Sequence, residues 1–575
     1  MPTRILYRVF AAAAIVSFLI AIWDLAFGGF HFVVLGVRLS SREAYKPLAY
    51  GELCAALAFV GHDIGADERD ASWSGFSRRA GTIAAAVSIL FVILGIRYGI
   101  YVAGGADYYG YVSQAALWAS GHVLAPDTLS TLEPLLGGAV APLGYRLAHT
   151  PGYLAPIYSP GLPLAMAALE RVGLSVYLIV PLMGGAAVWL TYRLTSCVAD
   201  RRTGCIAAVL LAFSPIAVFL ALVPMSDVPV TAWWLLAWLL TLSAGPWSAL
   251  MAGLASSAAI LTRPNIVPLA LVTLAFVAVR SGLRRGLLYA AGVLPSALFI
   301  AGWNQYLYGS PVSTGYGPLE TLFSVRYAGT NLRQFWSWLV DLHTPVVIVG
   351  VLALVAGRIR YGWWLFAFSM VLLGCYLFYL PFDNWTFLRF LMPAIPLLLA
   401  LDASVCVAVF ERLPMALRGA AVFALCTLVP FWFVAKIDGL RLFEIEQGER
   451  RYETVGEAMK AIVPPDAVLI SMIHSGSVRL YGDRHSIRWD LIAPDRLDAT
   501  LEIIRDNGFT PYFLLEDWEE PRVRDRFGKA SAVGRLDWPP TAEYLGHAQI
   551  RLYSPDDRAR YLHGEPVLTK MIPFP

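Results

Sequence analysis

Long apolar runs recur along most of this chain, and they leave it few ways to fold. They fall at 8–27, 47–61, 81–101, 174–196, 204–223, 228–244, 248–262, 265–280, 286–303, 343–357, 362–381, 389–410 and 419–437 of the 575 residues. A helix rises about 1.5 Å per residue, so about 20 residues cross the roughly 30 Å of bilayer hydrocarbon. Within lipid every backbone polar group needs an internal partner, which restricts spanning segments to helices or closed barrels. No strand-length alternation marks a barrel. With 58% hydrophobic and only 15% charged residues, a soluble fold is excluded. The expected fold class is a polytopic α-helical membrane protein of about thirteen spans.

Arginines orient it. With the N-terminus cytoplasmic, Arg78, Arg79, Arg193, Arg201, Arg202, Arg280, Arg284, Arg285, Arg358, Arg360, Arg412 and Arg418 all fall on the inner side, as the positive-inside rule requires. The segment 28–46 departs from the rule, because Arg38, Arg42 and Lys46 then lie outside. The opposite face receives 102–173, 224–227, 304–342, 382–388 and everything after about 438. The net charge of +3 comes largely from inner-loop arginines and reflects orientation, not nucleic-acid binding. Met1 to Asp24 imitates a signal peptide, but without a convincing cleavage site it reads as a retained anchor. None of the six cysteines lies in the large outer loops or the tail, so no disulfide framework is expected there.

The chain divides into an N-terminal membrane hairpin and cytoplasmic loop (1–80), a transmembrane core (81–440) and a small soluble α/β domain on the extracytoplasmic side (441–575). In the last, Ala467–Ser471, Pro511–Leu515 and Gln549–Tyr553 read as strands. Arg496–Asn507 and Pro521–Arg526 read as helices, the first stopped by Gly508.

Two acids stand where apolar runs meet water on the outer face: Asp107 in Gly-Ala-Asp-Tyr-Tyr and Asp227 in Pro-Met-Ser-Asp-Val-Pro. The bland reading of either is a helix cap. Neither has a basic residue at helical salt-bridge spacing, and both share a face, so the pair reads as an active site. After Asp107, Tyr111, Ala115 and Trp118 make one apolar stripe of a helix that Gly121 ends. Downstream, Tyr158-Ser159-Pro160-Gly161-Leu162-Pro163 is a stiff turn, with Arg146 and His149 shortly before it; these either shape a pocket or fix a loop. The loop 304–342 carries Tyr316 among many aromatics, suited to sugar stacking or to anchoring at the interface. Arg263 precedes Pro264 at a helix break, and Arg389 opens a span; either could bind phosphate or snorkel to headgroups. His343 and Asp383 are further outer-edge candidates. In the tail, His474-Ser475-Gly476-Ser477, Arg488-Trp489-Asp490 and Glu516-Asp517-Trp518-Glu519-Glu520 suggest acceptor recognition or domain docking, although a solvated face explains the acids equally well.

The order of these motifs, from Asp107-Tyr108-Tyr109 through Tyr158–Pro163, Ser226-Asp227-Val228-Pro229, Leu261-Thr262-Arg263-Pro264-Asn265 and Tyr308-Gly309-Ser310-Pro311 to Arg389-Phe390-Leu391-Met392-Pro393, resembles that of GT-C fold glycosyltransferases. That group, akin to glycosyltransferase family 39, includes protein mannosyltransferases and the aminoarabinose transferases of lipid A. The resemblance covers roughly residues 80 to 410. It implies a polyprenyl-phosphate sugar donor and a site at the outer surface of the cytoplasmic (inner) membrane, facing the periplasm or cell envelope. Tyr108 stands where many protein mannosyltransferases have a second acid, which places a glycan or lipid acceptor ahead of a protein.

The residue chemistry agrees. An acceptor hydroxyl attacking an anomeric carbon needs a base, for which Asp107 is the first choice; Asp227 is the second catalytic candidate, orienting the acceptor or stabilising positive charge on the sugar ring. Arg263 and Arg389 suit the leaving lipid phosphate, being planar, bidentate and always charged. Tyr158, His149 and Tyr316 are the expected substrate-binding residues. No cofactor is obligatory and no metal-ligand spacing is present, though Asp107 and Asp227 could share a divalent cation through oxygen ligands. No P-loop or dinucleotide fingerprint exists. The expected partners are a polyprenyl-phosphate sugar, its acceptor and membrane lipid, with no nucleic acid. The rival reading is a lipid-linked sugar flippase or transporter, which would call for intramembrane charges and related halves.

Overall fold

The computed structural model describes residues 66–317, 319–343, 359–412 and 429–573, with the strands 30–34 and 37–41 and a few single positions besides. The run read as a span at 47–61 lies almost wholly outside the described residues, as do most of 8–27, most of 343–357 and the first part of 419–437. Between the first two, Phe30–Val34 pairs antiparallel with Val37–Ser41, a hairpin that the sequence reading did not foresee.

Four described helices are long and apolar enough to cross a membrane: Gly75–Tyr98, Val176–Val198, Leu283–Tyr308 and Trp385–Ala408. Arg201–Phe213 and Pro215–Leu222 make a fifth if taken as one span bent by 59°. Asp227–Thr241, Ser248–Thr262, Pro268–Ser281 and Gly362–Leu377 are apolar but shorter. Among the described residues four or five helices thus reach the length of a full span, and the expected count of about thirteen is not established by them. Proline sets some of the helix limits. Pro215 starts a new helix after the break at Ser214, and Pro264 and Pro268 separate two helices with a short 3-10 turn. A proline lacks an N–H and disfavours helical backbone in the residue before it, so the run 204–223 becomes two elements, while the break at Pro264 falls between 248–262 and 265–280, read as separate runs from the start.

Tertiary packing in the helical layer is aromatic. Trp238 lies 5.0 Å from Phe276 and 5.7 Å from Phe368 by ring centroid, and all three are essentially inaccessible to solvent. The Trp238–Phe368 contact is edge-to-face, which adds to simple burial because ring edges and faces carry opposite partial charge.

The segment after Tyr98 is well built. Helix Asp107–Ala119 packs beside Gly161–Arg171, and a small antiparallel sheet joins Ala125–Pro126, Tyr153–Pro156 and Tyr145–Leu147. Beyond residue 441 the chain builds a six-stranded mixed sheet. Its order is Lys570–Ile572, Ala542–Leu545, Gln549–Tyr553, Thr510–Glu516, Ala467–Ile470 and His485–Ile487. Helices Leu497–Asp506 and Glu519–Phe527 lie where their apolar periodicity predicts, and Val468, Ile470, Phe513 and Leu515 form one buried core with them.

Candidate functional site

Asp107 is the first residue of helix Asp107–Ala119, but it does not cap it. Ala106 holds the cap position, and no side-chain cap bond forms. The carboxylate turns the other way. Oδ1 accepts a 2.7 Å hydrogen bond from the Tyr158 hydroxyl, and Oδ2 accepts one of 2.9 Å from Arg389 Nη1. Gly110, one turn along the helix, makes the first contact possible. A Cβ there would lie 2.0 Å from the Tyr158 ring, so only glycine lets that ring settle onto the helix face. The Tyr158 ring also packs 4.5 Å from Tyr111 and meets Tyr316 edge-on at 6.0 Å. Burial, reinforced by the Asp107 charge, holds the Tyr158 phenol well above its ordinary value, so it remains a hydrogen-bond donor.

Asp227 likewise opens a helix, Asp227–Thr241, without a capping bond from the preceding serine. It is fully buried, and Arg263 Nη2 approaches its Oδ1 to 2.7 Å. Arg263 has an extended backbone, φ −150° and ψ 91°, as the residue before Pro264 should. The proline break thus ends the helix and directs the guanidinium toward Asp227. Ser226 Oγ accepts from both Arg263 Nη2 at 3.3 Å and the Tyr111 hydroxyl at 2.9 Å. Arg389 Nη1 lies 3.1 Å from Met225 Sδ. The tripeptide Met225-Ser226-Asp227 therefore touches both arginines, and Tyr111 ties it to the helix that bears Asp107. Phe390 is shared, with its ring centroid 5.8 Å from the Arg263 guanidinium and 5.4 Å from that of Arg389.

These groups surround one cavity of about 840 Å³. Asp107, Tyr158, Arg263, Tyr316 and Arg389 line it, while Asp227 sits behind Ser226 and is not on the wall. His149, expected to contact substrate, is exposed and is not on the cavity wall; it lies beyond the end of strand Tyr145–Leu147. Its backbone N–H bonds to the Leu307 carbonyl at 2.9 Å and its ring faces Gly309, so it fastens two loops together. Asp383 is exposed and off the cavity. His343 is buried elsewhere, with Nε2 2.7 Å from Ser214 Oγ at the bend between two helices. Sequence reasoning missed Tyr376, Tyr379 and Phe390, which it had absorbed into apolar spans, and Glu449 and Tyr452, which it had assigned to the tail. Among the described residues no group of three or more His, Cys, Asp or Glu is placed to hold a metal ion. Each of the two aspartates faces an arginine instead.

No family model matches the sequence, and comparison with characterised protein sequences finds no match. Solved structures do match. ArnT from Cupriavidus metallidurans, crystallised with undecaprenyl phosphate, aligns with a TM-score of 0.52 at 13% identity, over 78% of this chain and 94% of that one. The chain has the GT-C fold. An oligosaccharyltransferase from Archaeoglobus fulgidus, tethered to an acceptor peptide, aligns with a TM-score of 0.49 at 12% identity, over 84% of this chain and 74% of that one. At such identity the likeness is one of architecture, and the chemistry of this GT-C protein has to be read from its own side chains.

Proposed function

We propose that this protein moves a sugar from a polyprenyl-phosphate donor to a hydroxyl of a cell-envelope glycan or lipid at the extracytoplasmic face of the cytoplasmic membrane. The observation that carries the reading is the gathering of Asp107, Arg263 and Arg389 on one cavity at the junction of apolar helices and an outer loop. The ArnT likeness, in which that protein holds undecaprenyl phosphate, supports the choice of a lipid phosphate.

In the reaction the acceptor oxygen forms a bond to the anomeric carbon as the bond from that carbon to the phosphate oxygen breaks. The electron pair leaves with the phosphate, whose charge grows. Arg263 and Arg389 meet that charge with guanidinium forks that are themselves largely buried, where such contacts act more strongly than in water. Asp107 takes the acceptor proton; its bond from Tyr158 fixes one oxygen and leaves the geometry of the other to Arg389. Asp227 acts through Arg263, which it holds in place from behind the wall.

Replacing Asp107 by Asn tests this. Transfer, followed by mass spectrometry of envelope glycans in cells lacking the native gene and carrying the variant, should collapse, while binding of undecaprenyl phosphate by the purified variant persists. Full transfer by Asp107→Asn removes Asp107 from the role.

A further inference from the structure

The cavity has a carboxylate that the reaction above does not use. Glu449 lies on its wall, and it comes from a different part of the chain than the other charged groups. It ends the short helix Ile445–Glu449, which leads through Arg451–Ile462 into the C-terminal sheet. That region is the polar part of the molecule, so its contribution to the cavity arrives from the water side, whereas Arg263 and Arg389 stand at the ends of apolar helices.

Glu449 is held there by a buried chain of contacts. Its Oε1 lies 3.3 Å from Arg451 Nη1, and Arg451 Nε donates to Glu516 Oε1 at 2.8 Å. Glu516 in turn is met by His474 Nε2 at 3.1 Å and by Trp518 Nε1 at 2.8 Å. Next to Glu449, the Tyr452 ring lies flat on Gly104, where a Cβ would come within 2.0 Å of it. His474, Glu516 and Trp518, from tail motifs read as serving acceptor recognition or domain docking, therefore help to mount one cavity wall close to Asp107.

A phosphate would be repelled by Glu449 and drawn to Arg263 and Arg389, so this carboxylate on the cavity wall suits the acceptor and not the donor phosphate. Building on the glycosyl-transfer reading, we propose that Glu449 is a specificity residue for the acceptor. Its carboxylate accepts a hydrogen bond from a hydroxyl of the incoming acceptor, or pairs with a cationic group on it, and so selects acceptors that are neutral or positive at the residue modified over anionic ones. Burial raises the Glu449 carboxyl above its ordinary value, against the opposing charge of Arg451 and with Glu516 and His474 also in range; the Glu449 charge also reaches Tyr108, beside Asp107. A carboxylate with this little solvent gains most from a donor supplied by substrate.

The test uses full-length protein in lipid nanodiscs. Binding of undecaprenyl phosphate is measured for wild type, Glu449→Gln and Arg389→Gln, and transfer is followed by mass spectrometry with membranes from gene-deleted cells as the source of donor and acceptor, over a dilution series. Glu449→Gln should bind undecaprenyl phosphate as wild type does, while its transfer at low membrane concentration falls about tenfold or more and partly recovers at high concentration. Glu449→Asp should fall between, and Arg389→Gln should lose lipid binding. The modified acceptor residue should carry no phosphate or carboxylate. Undiminished transfer by Glu449→Gln overturns the assignment, as does an anionic modified residue. Loss of lipid binding or of thermal stability in Glu449→Gln alongside transfer assigns Glu449 to the scaffold and also overturns it. If wild type neither binds undecaprenyl phosphate nor transfers, glycosyl transfer itself is wrong and this proposal falls with it.

Discussion

Replacing Asp227 by Asn leaves the Arg263 guanidinium, only 12% exposed, facing a neutral amide in a fully buried position. Removing one partner of a buried ion pair costs roughly 3–5 kcal/mol, because the remaining charge keeps its desolvation penalty and loses its counter-charge. At about 1.4 kcal/mol per tenfold, that lowers the folded-to-unfolded ratio by about two to three and a half orders of magnitude. The double replacement Asp227→Leu with Arg263→Met removes both charges at similar volume and should recover most of that loss, since apolar substitutes for buried pairs are often neutral or better. Transfer should behave differently: Asp227→Asn and the double variant should both be inactive, because each lacks a correctly held Arg263. Thermal unfolding in detergent and glycan mass spectrometry separate the two readouts. A stable Asp227→Asn variant with wild-type transfer refutes the assignment of Asp227 as the holder of Arg263, and an active double variant refutes the role of Arg263 itself.

Tyr158→Phe removes a hydrogen bond to a charged carboxylate, an interaction of about 1.5–3 kcal/mol, and should slow transfer by about tenfold to a hundredfold with undecaprenyl phosphate binding intact. Gly110→Ala should do at least as much, since its methyl displaces the Tyr158 ring; a rate equal to wild type would show that the ring contact is dispensable. Exhaustive dialysis against a chelator should leave transfer unchanged, and loss that added Mg²⁺, Mn²⁺ or Zn²⁺ restores would assign a cation to the site. Although burial favours the neutral form of Glu516, contacts with His474 and Arg451 outweigh it and lower this carboxyl to about 2. A depressed carboxylate stabilises the fold above its unfolded value and loses that contribution as pH falls through the folded one. The C-terminal sheet region should therefore lose stability between about pH 4.5 and about pH 2, and Glu516→Gln should flatten that acid limb in unfolding monitored by tryptophan fluorescence.

What could be read in advance follows from how local each signal is. Asp107, Asp227, Arg263 and Arg389 were identifiable because each sits at a punctuation mark, a helix start or a proline break, whose position depends on a few neighbouring residues. Their division into two arginine pairs was not, because it depends on which helices lie side by side. Gln549–Tyr553 alternates clearly and was read with its observed limits, whereas His485–Ile487, Ala542–Leu545 and Lys570–Ile572 are too short to show a period and take their form from strands already in the sheet. Tyr376 and Phe390 look like lipid-facing aromatics in sequence, yet they stack on each other at 4.5 Å beside the arginines. Glu449 carries no local signal at all: it reaches the cavity only because the tail packs against the segment that bears Asp107.

The wall of the cavity is gathered from distant stretches of polypeptide, and the contact between Asp107 and Arg389 alone closes 282 positions. A chain emerging from the ribosome therefore inserts most of its helices before the last charged side chain of the cleft has been made. Until the tail has folded against the segment that bears Asp107, a nascent or prematurely truncated copy lacks one wall of this cavity, so completeness of synthesis decides when that wall is whole.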